Sequence, residues 1–563
     1  MRIASTRLPV FLLCMTGLFL WGGGANAGIP VPNPSFEEGE EGPDGWTLSG
    51  GTGAWLGEGA SGARSVAVTG TGKTGDTHYW RSETLPLEAF SLYELRFQAR
   101  RLDGAGGNPI SGPVFCNRDL RELSEEWRGY RSIFITPSDL SPGSSWLRFG
   151  QWEAPGTIAY DDVQLFRVQP IYRTRGDLTL GAGERVIGTQ YQFLAPLNAL
   201  SRNHARPLER LTCYFNTGRL VFGGGNEVVY RHAAGDIEQQ AAAIEVNIGH
   251  YTRGEVAAEV STDGEHWIEL GRMGSVGVHR FEVPEDCFPA QAVRVRFRSL
   301  SGGSLGTDSD FGAAQIYNYQ YDAMLARAPG DLEGATSFAS ILEGDPRLKI
   351  VLEDLGDAIP GGGKMLRGTA VNLSQASITL EPALHILPEE GDATLVTGLG
   401  QSLAAGETWP FRIPYSLINA GKTKLVFTMG ESAAFRAEVE FDIHPLHDIR
   451  YGEMLPASTN RAGLWRASSG WKVSQSRPLP EASAPALQIA TARNEAEATQ
   501  LVVRPSEPLR QFIAKCGPLA GPDGATIPED HIEVLRVRYV PVSIPTDDSS
   551  VAGPWPDPLP PFQ

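Results

Sequence analysis

Three tryptophans, Trp80 in HYWRS, Trp127 in EEWRGY and Trp152 in LRFGQW, stand among arginines and glutamines in the first 170 residues. A pyranose presents C–H groups on one face and hydroxyls around its edge. Aromatic faces flanked by guanidinium and amide groups therefore suit it. Trp80, Arg96, Gln98, Arg148 and Trp152 are the candidates for that chemistry, and each single Trp has core packing as its competing role. A second grouping is acidic. Glu37 lies near the start of this stretch and Asp161 and Asp162 near its end. In an antiparallel sandwich the first and last strands can lie side by side, and three hard oxygen donors in one place suit Ca²⁺. The same carboxylates would also serve as solvated edge residues that keep strands of different chains apart.

The chain carries no HExxH, and GTGKTG at 70–75 lacks the phosphate-loop spacing and reads as a turn. The adjacent carboxylates Glu125-Glu126, Asp161-Asp162 and Asp547-Asp548 fall on predicted edges and turns, so no catalytic residue is assigned. After the leader, Cys116, Cys213, Cys287 and Cys516 remain without zinc-like spacing. Cys213 and Cys287 could pair in an oxidising compartment or stay as buried thiols.

Strands must position these groups. Period-2 runs recur at 93–101 (YELRFQARR), 254–263, 292–300, 437–445 and 531–542, separated by clusters drawn from 65 Gly and 40 Pro. That pattern predicts an all-β chain of tandem β-sandwiches. Alternation places Tyr93, Leu95, Phe97 and Ala99 on the core face, with Arg96, Gln98 and Arg100 outward. It likewise sends Leu147 and Phe149 inward, with Trp146, Arg148 and Trp152 on the other face.

At 563 residues the chain needs several cores, and its formal charge of -18 with scattered basic residues argues against a nucleic-acid partner. Residues 1–27 read as a signal peptide, with Arg2 and Arg7, an apolar run to Trp21 and an Ala-Asn-Ala cleavage site, so the mature chain is expected to be secreted, periplasmic or on the cell surface. No later run reaches the ~18 apolar residues of a membrane span. Composition shifts divide the remainder into units at 28–168, 171–327, 332–446 and 459–563.

The opening VPNPSFEEG at 31–39, GPDGW at 42–46 and the closing TIAYDDVQLFRV at 157–168 resemble carbohydrate-binding modules of families 4 and 9. That resemblance implies a jelly roll, a polysaccharide partner and a structural calcium held by Glu37 and Asp162. STDGEHWIELG at 261–271 is similar to discoidin or galactose-binding sandwiches, and 332–446 resembles an immunoglobulin-like spacer. Further on, Arg493, Asn494, Glu495, Glu497, Gln500, Leu501, Val502 and Val503, with Pro556, Asp557, Pro558 and Leu559, resemble the sandwich that precedes the catalytic barrel of glycoside hydrolase family 123 and domain of unknown function 4091. This implies that 459–563 leads into a downstream catalytic domain of the same polypeptide. The expectation is a non-catalytic, carbohydrate-binding accessory region, and the alternative is an adhesive cell-surface protein whose sandwiches are spacers.

Overall fold

The computed structural model describes residues 28–104, 108–197, 203–300, 314–342, 347–356, 363–430, 435–475, 477–510, 512–542 and 553–557. The expected leader, the Asp547-Asp548 pair and Pro558 with Leu559 lie outside them. Among the described residues the regular structure is β-strand with short 3-10 turns and no α-helix. The chain is all-β, as its period-2 runs require.

The first unit is a two-sheet sandwich. Strand Leu92–Asp103 buries Tyr93, Leu95, Phe97 and Ala99 and turns Arg96, Gln98 and Arg100 away from the core. It pairs antiparallel with Arg128–Ile135 and with Pro155–Arg175. The facing sheet contains Trp46–Ser49, Thr77–Ser82, Leu147–Trp152, Asn108–Pro113 and Cys116–Asp119. Between the sheets the Phe149 ring lies 5.0 Å from Phe97 and 5.4 Å from Tyr160, so the two inner faces interdigitate.

Both sheets run on into later units. Cys116–Asp119 pairs in parallel with Tyr214–Asn216, which extends one sheet into the second unit as a 13-stranded sheet. Pro155–Arg175 pairs with Thr336–Leu342, which pairs with Phe435–Ile443, so the other becomes an 11-stranded sheet reaching the third unit. The long strand passes directly through 168–171. Pro170 fits there because the flank opposite Thr336–Leu342 has no described strand partner between Arg167 and Arg173, and no ladder N–H is needed on that side. One apolar core runs from Phe36 to Leu332, and a second, around Phe411 and Phe427, fills the third unit. The last unit has only a small core of Tyr451, Trp465, Ala467 and Val473.

Cys213 and Cys287 are both free and buried, and burial pushes both thiols up. Tyr319 and Tyr321 are core residues of strand Ala314–Leu325, but Tyr317 is 38% exposed. A register shift against Gln239–Tyr251, where Asn318 pairs Asn247 and Ile316 pairs Ile248, breaks the alternation that would have aligned all three.

Candidate functional site

The alternation of strand Thr77–Ser82 decides which aromatic faces out. Trp80 points inward, is 7% exposed, and donates its indole N–H to the Ala67 carbonyl at 3.0 Å. It is a core residue rather than a platform, which corrects the sequence expectation. Its neighbours Tyr79 and Arg81 take the other face. In the register with Leu147–Trp152, Thr77 stands opposite Trp152, Tyr79 opposite Gly150 and Arg81 opposite Arg148. Arg148 and Trp152 therefore share that outer face. A Cβ at Gly150 would lie 2.5 Å from the Tyr79 Cβ, so the missing side chain is what makes room for the phenol.

These groups form a row. The Arg81 guanidinium lies 4.2 Å from the Trp146 ring centre, and Trp146 is near-parallel to Tyr79 (13°) with centroids 6.1 Å apart. The Arg148 guanidinium lies 5.8 Å from the Tyr79 ring, and Trp152 stands one diagonal step along. Beyond Arg148 the Asn117 amide donates to Asp119 at 2.8 Å and to the Asn216 side-chain oxygen at 3.1 Å. Tyr214 borders the same place: burial raises its pKa, Asp139 adds to the rise, and the Arg148 charge opposes it. The surface thus offers flat apolar rings beside donors and acceptors.

Arg96 and Gln98 do not join this row, because they lie on the opposite sheet of the sandwich. Arg96 donates to Glu94 at 2.9 Å and to Glu438 of the third unit at 3.3 Å, and its guanidinium sits 4.9 Å from the Phe166 ring. Arg131 pairs with Glu94 and, at 3.0 Å, with Glu440. Gln98 is half-buried opposite Gly129 and Asp161. This face is a joint between units. Burial alone would raise the Glu438 pKa, but the Arg436 hydrogen bond and the charges of Lys424, Arg96 and Arg436 bring it below the ordinary value.

Tyr79, Arg81 and Asp119 complete the outer face and were not among the predicted site residues; Trp146, 7% exposed under Arg81 and Tyr79, and Asn117 are buried and support it. Strict alternation in HYWRS forces Tyr79 and Trp80 to opposite sides. Which of the two faces out depends on the strands opposite, and the isolated segment does not encode that.

Glu37 and Asp162 approach one loop, 58–64. Glu37 Oε1 accepts from Ala63 N–H and Arg64 N–H, each at 2.9 Å. Asp162 Oδ1 accepts from the hydroxyls of Ser61 at 2.5 Å and Ser35 at 3.1 Å. Asp161 is buried beside them, with Oδ2 accepting from Ala60 N–H at 2.7 Å; burial and the Asp162 charge push its pKa up to about 6. Among the described residues no three His, Cys, Asp or Glu side chains are grouped as metal ligands.

In the last unit Asn494 turns the chain at φ +63, as a turn residue should. The strand after it turns Val502 inward and Leu501 outward. Val502 packs on the small core opposite Trp465, whereas Leu501 is 45% exposed. The two motif pieces meet at one turn: Gln500 donates to the carbonyls of Ser468 (2.7 Å) and Trp471 (2.6 Å), and Lys472 pairs with Asp557 at 2.7 Å.

No family model matches this chain, and none of the curated proteins matches it. Among solved structures it is similar to the N-terminal CBM22-1–CBM22-2 tandem domain of Paenibacillus barcinonensis Xyn10C, at 13% identity over 54% of this chain and 100% of that one, with a TM-score of 0.23. It is also similar to Bacteroides uniformis beta-glucuronidase 2 (9% identity, 42% of this chain, 29% of that one, TM-score 0.14). A GH2 beta-galacturonidase from Eisenbergiella tayi gives 10% identity over 43% of this chain and 38% of that one, with a TM-score of 0.14.

Proposed function

We propose that the chain binds glycan, without cleaving it, on the outer face built by Tyr79, Arg81, Arg148 and Trp152, with Trp146 buried beneath it. The observation that carries this reading is the row itself, in which the half-buried rings of Tyr79 and Trp152 stand beside Arg81 and Arg148 on a sheet face and an amide–carboxylate cluster stands at its edge. Sugar rings stack on such aromatics, and their hydroxyls take up the Arg, Asn and Asp groups. The intact chain is expected to retain at least one polysaccharide on a glycan array and to release nothing from chromogenic glycosides. Retention of no glycan, or turnover of any glycoside, would count against the reading.

We further propose that Ca²⁺ stiffens loop 58–64, with Glu37 and Asp162 as its carboxylate ligands and loop carbonyls and water completing the shell. Its support is the convergence of both carboxylates on residues 61–64. Calcium is expected to raise the melting temperature relative to chelator in the wild type but not in E37Q/D162N; equal shifts in both would refute it.

The last unit, in this reading, adjoins a catalytic domain of the same exported polypeptide. Two things support that: the motif pieces meeting at the 468–472 turn, and the aliphatic side chains this unit leaves outward, among them Leu501, Ile513 and Ile527. Reading the coding sequence past residue 563 tests it. A βα pattern with an adjacent Asp-Glu pair supports it, and further sandwiches favour an adhesive protein.

A further inference from the structure

A second groove lies at the seam between the first two units. Leu211 N–H donates to Ser138 Oγ at 3.0 Å and Ser138 N–H to the Leu211 carbonyl at 2.7 Å. These bonds hold the Phe90–Pro137 corner of the first unit beside the five-stranded sheet of the second. The groove is open to solvent and offers about 540 Å³, within the usual size of small-molecule sites. Phe90 lines it from the first unit in the left-handed backbone region (φ +48), a conformation that costs energy for a non-glycine residue. Trp267 lines it from the second unit, with one indole face covered by the Arg296 guanidinium at 4.0 Å. Arg296 is itself fixed by Glu259 at 2.6 Å.

Apart from Glu265, the lining charges are already matched. Arg294 grips Glu209 through two bonds of 2.7 and 3.2 Å, and Arg210 pairs with Glu227 at 2.5 Å. Asp263 uses its Oδ1 on the N–H groups of Glu265 and His266, both at 2.8 Å, and so shapes the turn that presents Glu265 and Trp267. Glu265 itself is exposed at the mouth. An anionic ligand would have to displace one of these pairs. A hydroxyl, which both donates and accepts, can use the remaining N–H groups and lone pairs without breaking any. The ring C–H face of a sugar suits the indole.

We propose that this groove is a second saccharide site, taking a neutral pyranose unit against Trp267 with Glu265 accepting from its hydroxyls. It shares a ligand class with the Tyr79 face but none of its residues, so either can fail alone.

The test uses the full chain labelled with 5-fluorotryptophan and fluorine NMR, with W267F and W152F assigning the two signals. Xylohexaose, cellohexaose, mannohexaose and galactohexaose are titrated to millimolar concentrations. The Trp267 signal is expected to move saturably with at least one of them. E265A, at an exposed position, should weaken that response about tenfold while leaving the Trp152 response unchanged. A Trp267 signal unmoved by all four sugars, or one whose response survives E265A intact, would overturn the site. Movement of Trp152 alone would uphold the first face and refute this one.

Discussion

The two outer faces of the first sandwich look alike in sequence and differ in the folded chain. Each carries outward arginines on alternating strands: Arg96 and Arg131 on one, Arg81 and Arg148 on the other. The first pair is absorbed by Glu94, Glu438 and Glu440, because the strands of the third unit extend that sheet and bring carboxylates to it. The second pair lies over Trp146 and Tyr79, with amides at its edge. Pointing away from a core is therefore different from facing solvent. What separates a joint from a binding face here is the partner of each guanidinium: carboxylates, two of them from the third unit, in one case and aromatic rings of the same sheet in the other.

Substitutions can break this contrast. The largest effect is expected at the inward residue next to the open face. W80A should destabilise the chain by about 4 kcal/mol in urea unfolding, because it empties core volume and strands the Ala67 carbonyl. On the covered face, E94Q leaves Arg96 and Arg131 without the buried anion between them and should cost about 3 kcal/mol by the same measurement. Neither figure would be approached by a residue whose role is to meet a ligand.

The interiors of the first two units add a contrast in pH. In the second, His232 is fully buried, 2.6 Å from the Tyr319 hydroxyl and stacked on Tyr321 at 4.0 Å; burial, then the Arg206 charge, pushes its pKa well below 6.5. The stability it contributes is present above 6.5 and is lost as pH falls. Asp161 works in the opposite direction. Its folded pKa, raised from 3.8 to about 6, gives stability that is present below 3.8 and lost as pH rises through 6. The two slopes oppose each other in that window, so D161N should lose stability more steeply than the wild type on acidification from pH 6. Parallel curves would show that the Asp161 carboxyl is ordinary. The smallest effect is expected at the rim of the joint. Lys424 stands 3.6 Å from both Glu438 and Glu440, and K424A should change stability by no more than about 0.5 kcal/mol, less at high salt.

Much of the fold was legible because period-2 alternation is a local property. Arg96, Gln98, Arg148 and Trp152 were all correctly placed outward from it, whereas Glu37 reaches the loop that Asp162 also bonds from a segment that forms no strand, not through pairing of the first and last strands. What alternation does not reveal is which strands cover which face. Trp80 faces inward because parity is set by Trp46 and Phe149 on the neighbouring strands of the same sheet, and Val502 faces inward because Trp465 sits opposite it. Tyr317 turned out because a register shift, invisible in the segment itself, interrupts the strand. The joint at Arg96 depends on Glu438, more than three hundred positions away, and no short window contains both.

The account turns on which outer face meets the glycan. Titration of the intact chain with a polysaccharide it retains, compared between Y79A/W152A and R96A/Q98A, separates the two directly. Binding should weaken at least about tenfold in the first variant and stay within about twofold of wild type in the second. Retained affinity in Y79A/W152A, with loss in R96A/Q98A, would contradict the account.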